Sequence, residues 1–565
     1  MAADTLFEEE LRRAVDAEVD STLASGLDAE LTHRQLMARA QLFVAACVWP
    51  SSSRSGDPQL IEAAGDCVAA LRRRQGPSGL FVGGDNVDSP PDSAFTANDV
   101  CDTLHLLRSS GVIETVAGAS ALADDLDAIA DAVEPALLVG GVHTPNHRWE
   151  ITAALARLHR RRPSAALVAR AAEWLAEGID IAADGVYSER SANYAAYVSN
   201  PSLTVIADVF DSAAARDAVI RNLESTLGLI HPDGTVETVH SRRQDQLSRF
   251  ALSPYLAMYR GYAIRLGRRD FAWAARRAQE QGIVHPASLL VDLLLDPRIG
   301  EQLPEATKPE PAGKWDRSAL AIDANPQRRL VVFGGTDYPR LRRIRSGLST
   351  NPTFLRLFAG TVVLDSMRLS RDFFGLGPFR AERFTADHLD GVARYRLSET
   401  ASANYYQPIG PAQRTASGEY ALTDDGRFYG SMSFADRRAD PVALRTDVDV
   451  VVTDDGAAVS IVFDGPDCAW ALELSFRGGS FEGVDPQNDG TAILAAGAGS
   501  YRNGDDRIIF EADALYRADG PGRYRPGEDY AFLGATDAAM GDRVYLTGRS
   551  PGRVTLTLRA ENLRA

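Results

Sequence analysis

Through most of residues 1–300, apolar side chains recur at intervals of three and four. Segments such as LTHRQLMARAQLFVAACVW, SALADDLDAIADAVEPALLV and ARDAVIRNLESTLGLI carry this spacing, which gathers the apolar groups on one face of a helix. Loops rich in Gly, Pro, Asp and Asn separate the helical stretches: QGPSGLFVGGDNVDSPPDSAF, GGVHTPNH, DGVYSERSANY and HPDGTVETVHSRRQD. The helices that follow are expected to begin near Phe95, Asn146, Tyr194 and Gln244. That step of about fifty residues is the length of a helical hairpin with its connections. About six hairpins fit into this part of the chain, the size of an (α/α) toroid, in which the loops entering the inner helices gather at one mouth.

Beyond residue 302 the period changes. LPEATKPEPAGKW (303–315) reads as a linker, and after it RRLVVFGG, FLRLFAGTVVLDS, VARYRLSE, VDVVVTDDG, AVSIVFDG, AWALELSFRGG, RIIFEADALYR and RVTLTLRA alternate with period two. Turn pairs such as DG, GG and NG separate them, so these are short strands without intervening helices. The expectation is an α+β multidomain chain: an (α/α) toroid over 1–302, a linker over 303–315 and an antiparallel β-sandwich over 316–565.

Composition narrows the function. The chain has 565 residues, a formal net charge of −17 and 77 acidic against 60 basic side chains. An acidic surplus of this size argues against a nucleic-acid or anionic-membrane binder. An anionic substrate would need its own local positive cluster. Cys47, Cys67, Cys101 and Cys468 have no CxxC spacing, so buried thiols are expected rather than a zinc cage. The acidic, amphipathic N-terminus MAADTLFEEELRRAVDAEVDSTL does not read as a secretory signal, and there is no run of 18 apolar residues. A cytoplasmic protein is expected.

Three loops carry candidate chemistry. In GVHTPNHRWEITAAL (141–155), Thr144 suits a helix cap and Pro145 the first helical position. Ile151, Ala154, Leu155 and Leu158 form the buried stripe, and Asn146, His147 and Arg148 fall in the first turn. The second loop is DGVYSERSANYAAY (184–197), the third HPDGTVETVHSRRQD (231–245). With the domain order, these motifs resemble the heparinase II/III-like polysaccharide lyases, including oligoalginate lyases. The resemblance implies that Asn146 and His147 neutralise a uronate carboxylate and that Tyr194 exchanges protons. It differs in STNPTFLRLFAGTVVLDS (349–366), where Asn351 and Pro352 stand in a stretch that carries histidines in many members. His388 is the only histidine after position 285, so no metal or other cofactor is expected.

β-Elimination removes the C5 proton of a uronic acid and expels the C4 oxygen, piling negative charge onto the carboxylate. Asn146 offers an amide donor and His147 an imidazole, both at a helix N-terminus that favours anions. A free tyrosine, with a pKa of about 10, is a weak base unless positive charge lies nearby. Arg148, Arg190, Arg242 and Arg243 are the candidates for that charge. Tyr197, one helical turn after Tyr194, would share its face and bind sugar, and His240 is a candidate catalytic residue. Glu237 is a substrate-side carboxylate that orients His or Arg, or a plain loop residue. Tyr194 with Tyr197 also fits a helix-packing pair, and His240 a solvated loop position. Arg157, Arg160, Arg161 and Arg162 around His159 read as a solvated helix end; His33, His105 and His285 receive no role. DNVDSPPDS (85–93) is a mouth loop or a turn, with Asp85 and Asn86 as sugar contacts in the first case.

The leading function is a lyase acting on an anionic, uronate-containing oligosaccharide, with neither nucleic acid nor membrane as partner and a homodimer left open. A glycoside hydrolase would instead need two carboxylates about 5–9.5 Å apart, for which Asp184, Glu189, Asp233 and Glu237 are available. An inactive carbohydrate-binding protein is the third reading.

Overall fold

Side-chain caps start many of the helices. Asp4 accepts from the Phe7 N–H, Asp57 from Gln59 and Ser89 from Asp92, while Thr32 and Gln35 form a reciprocal capping box. In this computed structural model, which describes residues 3–84, 86–310, 313–337, 348–389, 391–425, 430–494, 497–513, 523–525 and 540–562, the contacts divide the chain into two units. One comprises Met1–Leu227 with Ala251–Pro309, the other Gly228–Phe250 with Glu310–Ala565.

The first unit is helical: α1 (Thr5–Ser25), α2 (His33–Val48), α3 (Pro58–Arg73), α4 (Pro90–Ser109), α5 (Val112–Thr115), α6 (Ala119–Val139), α7 (Pro145–Arg161), α8 (Ala165–Ala176), α9 (Ala192–Tyr194), α10 (Asn200–Phe210), α11 (Ala213–Leu227), α12 (Leu256–Leu266), α13 (Arg269–Gln279) and α14 (Pro286–Leu295). Six of them succeed one another in packing. α2 lies on α4, α4 on α7, α7 on α10, α12 on α14 and α14 back on α2. The hydroxyls of Thr204 in α10 and Tyr262 in α12 meet at 3.2 Å. The helices α3, α6, α8, α11, α13 and α1 each pack on a member of this succession. Buried stripes such as Leu60, Ile61, Ala64, Cys67, Val68 and Leu71 on α3 hold the pairs together. Each such leucine or valine contributes about 1.5–3 kcal/mol.

Several sequence expectations shift. α4 begins at Pro90, capped by Ser89, rather than near Phe95. No α-helix begins at Gln244; a short 3₁₀ helix spans Gln244–Leu247 and α12 starts only at Leu256. Pro254 explains this, since a helix running through it would lose a backbone donor in its interior. At the end of α7, Arg160 and Arg162 are exposed as expected, but the Arg157 and Arg161 side chains are not. Arg157 and Arg160 both bind Asp102 at 2.7 Å, and Arg161 is buried against Asp127 and Asp131.

Among its described residues the second unit holds an eight-stranded and a nine-stranded sheet. Side chains from both form one buried core, including Leu357, Leu364, Met367, Leu472 and Leu546 from one sheet and Val450, Val459, Ile508, Phe510 and Leu558 from the other. Ala439–Val452 alternates buried and exposed positions, whereas Arg329–Phe333 and Leu355–Ala359 are buried throughout. The reason is the segment 228–250, which belongs to this unit. Asn351 donates to the Val239 carbonyl, Arg356 pairs with Glu237 and Arg329 bonds the Gly228 carbonyl. The third candidate loop is therefore part of the sheet unit, not of the helical loop set. Gly313–Trp315, expected within the linker, is already an edge strand paired with Leu320–Ala324.

Candidate functional site

α7 opens with Asn146 almost fully buried, 1% exposed, and His147 at 7%. Thr144 occupies the cap position without capping. Its hydroxyl donates instead to Asn146 Oδ1 at 2.8 Å. With Oδ1 taken, the amide Nδ2 is left as a donor, and among the described residues it has no hydrogen-bond partner. The His143 ring meets His147 edge-on, with centroids 4.7 Å apart. A pinned amide, an imidazole and the first backbone N–H groups of a helix thus stand at one end of α7, an arrangement suited to an anion.

Arg148 does not join them. One residue further around the helix, it points to Glu177 at 2.9 Å and Asp180 at 3.0 Å, over the Trp149 ring. Asp180 also accepts from Trp149 Nε1 at 2.9 Å and from the Ser188 hydroxyl. The expected substrate arginine is here a structural tie between α7 and the loop that follows α8.

That loop leads to Tyr194. Gly185 has φ +80°, and a Cβ there would lie 2.4 Å from the Arg221 carbonyl oxygen, so the turn requires glycine. Tyr187 donates to Asn200 at 2.9 Å, Asn200 to Asn222 at 2.9 Å, and Asn222 to the Gly185 carbonyl at 3.1 Å. Arg190 is held in the left-handed region at φ 53°, and Ser191 caps α9 by accepting from the Tyr194 N–H at 3.1 Å. Tyr194 is half-buried.

Tyr197 does not continue an ordinary α-helix. Residues Ala195–Ser199 form a π turn before α10. Pro201 lacks the N–H that would bond the Tyr197 carbonyl, and its ring crowds that oxygen, so the ladder widens there. Tyr197 is 41% exposed, and its hydroxyl bonds His285 Nε2 at 2.9 Å. Burial of the ring pushes its phenol above the usual tyrosine range.

In the second unit, Glu237 is buried and fully engaged. It pairs with Arg356 at 2.5 Å and His231 at 3.1 Å, and accepts the backbone N–H groups of Thr238 and Val239 at 2.8 and 2.6 Å. Although burial alone would raise its pKa, Arg356 and His231 hold the carboxyl well below the usual range. Burial also lowers the His231 imidazole, which stacks on Phe358 at 3.9 Å. Glu237 is thus no substrate contact. It clamps the backbone just before His240, and Asn351 clamps the same stretch through the Val239 carbonyl at 3.0 Å. His240 itself is 3% exposed. Arg242, expected as a substrate contact, forms a two-pronged pair with Asp337 at 2.6 and 2.8 Å. His388 lies exposed on the edge strand Arg383–Leu389.

Among the described residues no group of three or more His, Cys, Asp or Glu side chains could hold a metal ion. The four cysteines are buried and free. No described helix is long and apolar enough to cross a membrane. Asn86 donates its backbone N–H and its amide to Asp92, both at 2.9 Å, so it organises the turn before α4; Asp85 lies outside the described residues. Sequence reasoning passed over His143, His231 and the Tyr197–His285 pair. His143 was legible as a second histidine one helical turn before His147, whereas no local signal links His285 to Tyr197.

No protein-family model matches the chain, and no curated protein does. Solved structures share its fold. A chondroitin AC lyase from Streptomyces coelicolor A3, solved with chondroitin sulphate, superposes with a TM-score of 0.54 at 15% identity, covering 98% of this chain and 79% of that one. A heparinase III gives 0.53 at 9% identity, covering 94% and 77%. The heparan sulfate lyase HepC of Pedobacter heparinus gives 0.50 at 10% identity, covering 95% and 78%.

Proposed function

We propose that this chain is a polysaccharide lyase that cleaves uronate-containing oligosaccharides by β-elimination. The observation that carries the reading is the buried Asn146 amide, turned by Thr144 so that only its N–H donors remain, beside His147 at the start of α7. A pinned donor of this kind, with no protein acceptor among the described residues, suits a ligand carboxylate. The closed succession of six helices supports an (α/α) toroid for the first unit. The core shared by two sheets supports a β-sandwich for the second. Both agree with the lyase folds that the chain resembles.

In the proposed reaction Asn146 Nδ2–H, the His147 imidazole and the helix N-terminus hold the uronate carboxylate. They stabilise the added charge as C5 loses its proton. Tyr194, as phenolate, takes that proton and passes it to the C4 oxygen as the C4–O bond breaks, leaving a C4=C5 double bond. Arg190, beside Tyr194 in sequence, is the remaining arginine of the helical loop set for local positive charge. His240 enters the proposal from its motif, on a backbone that Glu237 and Asn351 hold. The hydrolase alternative weakens, since Glu237 is kept ionised by Arg356 and His231 and cannot serve as a general acid.

The test is a panel of uronate oligosaccharides, each followed for ultraviolet absorbance of the unsaturated product and for new reducing ends. Elimination raises both signals together. Reducing ends without the chromophore would replace the lyase by a hydrolase.

A further inference from the structure

The six successive helices line a partly open cavity of about 230 Å³. Its wall takes Gln41 from α2, Phe95 from α4, Glu150 from α7, Ser202 from α10, Ala257 from α12 and Leu289 from α14. A second cavity of about 130 Å³ shares Asp102, Arg157, Pro201, Ala257 and Asp292 with it, so the space continues between these helices.

The carboxylates facing this space fall into two kinds. Asp102 is bound by Arg157 and Arg160 at 2.7 Å each. Glu150 accepts from Asn98 at 2.6 Å and Ser202 at 3.0 Å. Asp99 and Asp292 have no hydrogen bond or ion pair at their carboxyl groups among the described residues. Burial and the Asp102 charge push both carboxyls up to about 7. For Asp99, Glu150 adds to this while Arg157 and Arg34 oppose it; for Asp292, Asp296 adds and Arg157 opposes. On the same wall Ser253 is 5% exposed, and its hydroxyl has no hydrogen-bond partner among the described residues. Phe95, Pro254, Leu256 and Leu289 supply apolar surface between these polar groups.

We propose that this cavity binds a small primary ammonium compound, with Asp99, Asp292 and the Ser253 hydroxyl as acceptors for its N–H groups. The chemistry selects that class. An ammonium carries three donors on an apolar stem, matching separated acceptors set in an apolar wall. A hard divalent cation wants about six to eight oxygens converging on one point. The two carboxyls, half-protonated near neutral pH, ionise as the ammonium enters, so binding releases protons. The cavity wall includes Tyr197 and His285 but not Asn146, His147 or Tyr194, and neither assignment depends on the other. The ammonium belongs either to a free diamine or to an amino sugar.

Titration calorimetry of the full chain at pH 7, in two buffers of different ionisation heat, tests this with putrescine, glucosamine and N-acetylglucosamine. Saturable binding of putrescine or of glucosamine, with proton release and none for the N-acetylated sugar, is the expected result. Which amine binds identifies the source. Asp99→Asn and Asp292→Asn each weaken binding about tenfold or more, and Ser253→Ala weakens it less. Thermal melts check that each variant folds, and proton release from the unaltered protein serves where one does not. No saturable binding of either amine, or an affinity unchanged in the two Asn variants, overturns the proposal.

Discussion

In the proposed site the orientation of Asn146 is set, among the described residues, by the Thr144 hydroxyl at 2.8 Å. The helix loses a side-chain cap by it and gains a donor of fixed direction. Two substitutions separate chemistry from support. Tyr194→Phe removes one oxygen from a half-buried ring, so turnover falls about 10²–10⁴-fold while the melting temperature stays close to that of the parent. Glu237→Gln acts the other way round. It strands Arg356 in a buried setting and destabilises the fold by about 3–5 kcal/mol in denaturant titration. Its effect on turnover in the folded protein stays smaller than that of Tyr194→Phe. A folded Tyr194→Phe protein with undiminished turnover removes the tyrosine from the mechanism.

At the scale of elements, the π turn at Ala195–Ser199 sets the rotation between Tyr194 at the end of α9 and α10. Pro201→Ala restores the missing N–H and lets the ladder relax toward α-helix. The expected outcome is a folded protein with turnover reduced about tenfold and the Tyr197–His285 bond lost, measured by kinetics and a crystal structure. Unchanged kinetics would mean that the widened turn has no part in placing Tyr194. The segment 228–250 shows a second effect at this scale. In FLRLFAG, Arg356 sits where period two predicts a solvent-facing residue. It is buried because Glu237 comes to meet it. A charged residue in an alternating strand cannot reveal from sequence whether water or a distant carboxylate will solvate it.

Across the whole helical unit, the cavity carboxyls tie stability to pH. Asp99 and Asp292 have folded values of about 7, far above the ordinary carboxylate range. The folded chain therefore holds more protons than the unfolded one between about pH 4 and 7. Their contribution is fully present below the unfolded value and is lost as pH rises through 7. Asp99→Asn and Asp292→Asn thus stabilise the protein at pH 8 by about 1–3 kcal/mol each and much less at pH 4, measured by urea unfolding at both values. Glu237 works in the opposite direction: its lowered value stabilises above the unfolded pKa, and that stability is lost progressively as pH falls from there toward the folded value. Equal effects of the Asn variants at pH 4 and pH 8 would show that these carboxyls ionise freely in the cavity.

Periodicity alone determined that helices come first and strands after, because burial on one face imposes 3.6 or 2 on any chain that folds. It also placed Asn146 and His147 in the first turn of a helix, since Pro145 fixes that start locally. The Gly and Pro signals located the loop that carries Tyr194. What lies between distant residues was not legible. Arg148 and Arg242 look alike as free cations in sequence, yet each is bound by carboxylates 29 to 95 positions away. The clamp of Asn351 on Val239 spans 112 positions. Only the tertiary structure decided these matters, because a charge or an amide takes whichever partner packing brings within about 3 Å, and chain order does not record that distance.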